Sequence, residues 1–165
     1  MSVPETDSDA IFQRAVGKLL TEILDGPPGS ECYLLNPGDP GLIRQLESID
    51  ARSASARPMP GKTTIAAHVD HVHYGFSLLN RWIAGEPNPW ADADWNASWQ
   101  RTTVSDSQWK ALLAGLREET DNWRNAVAAR TDWDDTTAAG AISSAAHTAY
   151  HLGAIRQILA AMERH

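Results

Sequence analysis

The chain has 165 residues, of which 42% are apolar and 21% charged, with a formal charge of −7 and one cysteine, Cys32. This composition fits a single globular domain, expected over residues 1–165, and the acidic balance excludes a nucleic-acid-coating face or a partner membrane surface. No run approaches the roughly 18 apolar residues of a membrane span, one cysteine permits neither an internal disulfide nor a thiolate-rich zinc site, and the acidic start MSVPETDSDA is unlike a secretory signal, so a cytoplasmic location is expected.

Taken in order, the first helix is predicted over Ser8 to Leu24, where Ile11, Ala15, Leu19 and Ile23 recur at helical spacing. The sequence GPPG (Gly26 to Gly29) stops it. Leu34 to Gly41 reads as turn chemistry leading to a cap, and a short helix from about Asp39 carries Leu42, Ile43, Leu46 and Ile49. Ala51 to Gly61 reads as a linker. A third helix starts at the Thr63/Thr64 cap and runs to about Ala84, with Ile65, Val69, Val72, Phe76, Leu79 and Ile83 as its apolar stripe.

A long loop to Val104 follows, carrying Trp90, Trp95 and Trp99 with Asp92 and Asp94. It suits a lid, a hydrophobic anchor or a dimer contact. Ser105 to Gln108 forms a capping box for a fourth helix whose inner face is Trp109, Leu112, Leu113, Leu116, Trp123 and Val127. The last helix spans about Thr137 to Glu163. No segment alternates as a strand does, so an all-α bundle of four main antiparallel helices is expected.

Six histidines occur, and His147 and His151 stand four apart. That spacing puts both on one helix face, where two imidazoles can reach one ion at about 2.0–2.1 Å. His147, His151, Ile155, Ile158 and Met162 trace one stripe, so both imidazoles are expected to point into the bundle. On the third helix, His68 lies roughly 60° from the stripe's centre, His73 roughly 80° and His71 roughly 120°. His68 is therefore expected to look inward, and His71 and Tyr74 to lie near the surface. Each histidine taken alone also reads as an ordinary hydrogen-bonded residue. Together, His68, His147 and His151 would hold one divalent metal ion, leaving a coordination position open as catalytic sites do. Thr148 follows His147, so the H-E-x-x-H pattern of zincins is absent.

Glu118 and Glu119 fall off the apolar stripe of the fourth helix and are expected to be solvated. Thr120, on that stripe, reads as a site residue or a satisfied core hydroxyl. Cys32 has no basic neighbour in sequence and reads as an ordinary thiol.

The segment Thr63 to His71 (TTIAAHVDH) resembles the second-helix motif of the DinB-like metalloenzymes, and Ala145 to Gln157 (AAHTAYHLGAIRQ) resembles their last-helix motif. The superfamily includes bacillithiol and mycothiol S-transferases. The resemblance implies a DinB/YfiT-like four-helix bundle, with a short extra helix and the Trp-rich loop added here. It implies a zinc, nickel or iron ion on a histidine triad, which by position falls on His68, His147 and His151. It also implies transfer of a low-molecular-weight thiol to an electrophile, with metal-dependent hydrolysis or a non-catalytic, metal-stabilised module as alternatives. Many members read H-R-G-Q after the last ligand, where this chain reads His151-Leu-Gly-Ala, so contacts near that turn do not carry over. A homodimer is a further expectation from the abundance of tryptophan.

Overall fold

The computed structural model of the chain describes residues 8–58 and 63–163. Among the described residues every regular element is helical: α1 (Ser8–Asp25), α2 (Leu42–Glu47), α3 (Ala51–Ala54), α4 (Ile65–Ile83), a 3₁₀ turn (Ala97–Trp99), α5 (Asp106–Ala129) and α6 (Asp135–Met162). The four long helices form a bundle in which α1 and α4 each pack against both α5 and α6. Among the described residues no helix is long and apolar enough to cross a membrane.

The local rules that start these helices are visible at their caps. The Thr64 side chain accepts from the backbone N–H of Ala67 to open α4, and Ser105 and Gln108 form the reciprocal capping box of α5. A second box, Asp134 with Thr137, opens α6 two residues earlier than the apolar pattern suggests. α1 ends at Gly26, whose φ of 106° lies in the left-handed region that a helix C-terminus uses. A Cβ there would meet the Asp39 carbonyl oxygen at 2.8 Å, so this position needs glycine for space as well as for φ.

Three readings of the sequence are corrected. The stretch from Ala51 is not wholly a linker. Asp50 accepts from Ser53 N and caps the four-residue α3, whose Ala51 and Ala54 are buried, while residues 59–61 lie outside the described residues. On α1 the buried face is Val16, Leu20, Ile23 and Leu24, and Ile11 is exposed. On α6 the buried face runs through Ala141, Ser144, Ala145, Thr148, Leu152 and Ile155. Small residues there let neighbouring helices approach closely. The core line is thus rotated from the one traced through the histidines: His151 is buried, whereas His147 is exposed at the flank.

The core is a single cluster joining all four long helices with α2 and α3. Trp109 and Trp123 are buried in it, with their indole N–H groups donating to Ile49 O (2.7 Å) and Ser144 Oγ (2.9 Å). Both tryptophans therefore satisfy the polar atom that burial would otherwise leave orphaned.

Candidate metal centre

Four imidazoles gather where α4, α6 and the 86–104 loop meet. His68 and His71 are three residues apart on α4, and His147 and His151 four apart on α6, so each pair shares a helix face. The 3₁₀ turn of the loop closes over them. The Trp99 ring stacks on His71 with centroids 4.3 Å apart and meets His68 edge-on at 5.1 Å. Trp95 lies 5.4 Å from His71 and 5.5 Å from Tyr74. The Tyr74 hydroxyl accepts from Asp94 N at 3.1 Å and ties the loop to α4.

Hydrogen bonds determine which nitrogen faces where. The Ser98 hydroxyl donates to Trp95 O at 2.8 Å, so its oxygen accepts from His71 Nδ1–H at 2.9 Å. The lone pair of His71 is therefore on Nε2. His151 is engaged on both edges of its ring, with Nε2 2.9 Å from His147 Nε2 and Nδ1 2.8 Å from His68 Nδ1.

One nitrogen from each of His71, His147 and His151 lies within 4.8 Å of the others, and no carboxylate or thiolate belongs to this group. Neighbouring ligand nitrogens about 2.0–2.1 Å from one ion stand roughly 3 Å apart, so the 2.9 Å between His147 and His151 fits a divalent ion. The all-imidazole donor set suits zinc, nickel and iron alike.

The electrostatics agree with this chemistry. Burial pushes the pKa values of His68 and His71 down to about 4. Burial, reinforced by the three neighbouring imidazoles, takes His151 to about 3, and burial also lowers that of His147. All four are neutral near pH 7 and present lone pairs, the state a metal ligand requires.

Of the residues expected from sequence, His68, His147 and His151 are all in this cluster. His71 joins them, contrary to its expected surface position. It is only 8% exposed because the loop, rather than another helix, covers that side of α4. Its signal in the sequence is the i, i+3 spacing from His68. His73 lies elsewhere, with its ring over Gly115 of α5, and His165 lies outside the described residues. Thr120 is a satisfied core hydroxyl that donates to Arg117 O at 3.0 Å. Glu118 is exposed, but Glu119 is half-buried and accepts from Asn80 Nδ2 at 2.6 Å. The Cys32 thiol is pushed up by partial burial and by the nearby Glu22 and Asp39 carboxylates, the reverse of an activated thiol.

A family model described as the DinB superfamily matches residues 42–155, a span that holds α2 to α5 and most of α6 with all four clustered histidines. Comparison with curated proteins and with solved structures gave no match.

Proposed function

The chain belongs to the DinB superfamily, and from that premise we propose that it is a divalent-metal-dependent enzyme joining a low-molecular-weight thiol, of the bacillithiol or mycothiol kind, to an electrophile. One observation carries the reading: three neutral imidazoles converge, and one of them, His147, lines a cavity. A structural site would be closed by a fourth protein ligand, whereas an open one leaves room for substrate.

The ligand set that this arrangement favours is His71, His147 and His151. The two nitrogens of an imidazole point apart. His151 Nε2, beside His147, would hold the ion, while Nδ1 on the other edge of the ring faces His68. His68 then acts as a positioning residue. It accepts from His151 Nδ1–H and holds Nε2 toward the site, as Ser98 does for His71. The set expected from the helical angles, with His68 as the third ligand, would need the His151 ring to turn. When bound, a divalent ion held by His71, His147 and His151 would supply Lewis acidity able to lower the pKa of a thiol, or of a water in the hydrolytic alternative. Around it, Trp99 stacked on His71 excludes water from one side.

Metal analysis of protein purified without a nickel column, followed by turnover of chlorodinitrobenzene with each thiol, tests the reading. About one ion per chain and thiol-dependent turnover are expected. Metal without turnover by any thiol would favour a non-catalytic module. That second reading draws on the absence of any carboxylate or lysine from the cavity lining to serve as a general base. Loss of metal on His68→Ala with retention on His71→Ala would reassign the third ligand.

A further inference from the structure

Beside His147, between α4, α6 and the tryptophan loop, lies a cavity of about 610 Å³. That is within the size range of small-molecule sites, about 300–1,000 Å³. Its wall is made largely of Phe76, Leu79, Trp82, Trp90 and Trp95, and no lysine, arginine, aspartate or glutamate lines it. Polar atoms come from neutral groups such as Asn88, Thr136 and Ser143. Trp82 and Trp90 stand edge to face at 5.3 Å, which fixes one indole against the other as a rigid corner.

Two glycines in helix interiors line this space. At Gly140 of α6, a Cβ would meet Trp82 Cζ3 at 2.6 Å, so the indole reaches its place only because that side chain is missing. At Gly75 of α4 packing demands nothing, because the nearest atom to a Cβ would be His147 Cε1 at 3.9 Å. A helix-interior glycine costs about 1 kcal/mol relative to alanine. Here it leaves the cavity wall beside the His147 ring without a side chain. A second cavity, of about 490 Å³, lies against α1 and differs in kind: it is lined by Lys18, Glu22 and Glu31 and has no histidine.

Resting on the reading above, we infer that the cavity holds the body of the electrophilic substrate, an uncharged, apolar molecule of aromatic character lying against Trp82, Trp90 and Trp95 with its reactive end toward His147. A charged group placed against the three indoles, away from the His147 end, would lose its hydration and find no counter-charge among the lining side chains. The aromatic wall rewards a flat apolar body instead.

A matched pair of probes tests this in the metal-loaded protein. N-phenyl-1-naphthylamine is neutral, and 8-anilinonaphthalene-1-sulfonate carries nearly the same rings plus a sulfonate. The neutral probe should bind with energy transfer from tryptophan, at least tenfold more tightly than the sulfonate. Ser143→Trp, at an exposed position on the rim, should weaken the neutral probe at least tenfold while metal per chain is unchanged. Asn88→Trp, on the loop side, should do the same without touching a helix. Equal affinity for both probes, or undiminished binding in both variants, overturns the inference. One ion per chain with no binding of the neutral probe overturns this inference alone. Probe binding by a chain that takes up no metal overturns the underlying reading, and the inference falls with it.

Discussion

The protein contains two buried polar clusters built on opposite logic. Around Glu22 of α1, a carboxylate only 1% exposed accepts from the backbone N–H groups of Tyr33, Leu34 and Leu35, at 2.6–3.0 Å. These bonds hold its pKa below the usual carboxylate value although burial alone would raise it. The loop it organises is clamped at its neck by Gly26 and Gly41 and braced by Arg156, which donates to Pro40 O at 2.8 Å. Every participant there has its partner within the chain. Around His151, by contrast, the imidazoles are neutral and converge on one another with no carboxylate or thiolate among them; each cluster touches a cavity, through His147 and Glu22 respectively. A cluster whose valences close on itself serves the fold, whereas one whose lone pairs meet at an edge can take a ligand. Burial and perturbed titration are common to both, so neither feature alone marks a functional site.

The comparison breaks most visibly at Glu22. Glu22→Ala leaves three backbone donors without their acceptor and should cost about 3 kcal/mol or more in urea unfolding, with metal per folded chain unchanged. His151→Ala should do the reverse, abolishing metal binding in elemental analysis. Stoichiometric metal in that variant would refute the centre. Between these lies the third ligand. His71→Ala should also lose the ion, whereas His68→Ala should weaken it about 10- to 100-fold, as removal of an orienting partner does.

Acid separates the clusters without mutation. The folded-state pKa values of His68, His71 and His151 lie below the ordinary 6.5, at about 4, 4 and 3. The unfolded chain therefore takes up protons first, and metal-free stability should decline as pH falls from about 6.5 toward 4, with the His151 share continuing to about 3. The Glu22 contribution, present above its ordinary 4.5, should be lost only at lower pH, as pH falls through its lowered value. Unfolding free energies across pH 7 to 3 should show the two windows, and replacing the three histidines by glutamine should flatten only the upper one. The smallest effect is expected from Ser98→Ala. Releasing His71 from its fixed tautomer should weaken metal binding about tenfold and leave the urea midpoint close to that of the parent chain.

Much of the fold was legible because helices announce themselves locally. Caps at Thr64 and Ser105, the break at Gly26 and the 3.6-residue apolar period come from contacts within a few residues of sequence. The proximity of His147 and His151 is equally local, since a four-residue step is one helical turn. Facing was less legible. The buried line of α6 is set by which small residues let the neighbouring helices close, and it turns His147 outward while burying His151.

Least legible was the burial of His71. Its cover is a loop some 25 residues along the chain, and an irregular segment has no period by which to forecast where it lands. Sequence by itself determined that this chain is a helical bundle with His147 and His151 one turn apart on its last helix and His68 on another. Only the tertiary structure decided which ring edges meet, because tautomer and orientation depend on partners such as Ser98 and His68, brought in from elsewhere in the chain.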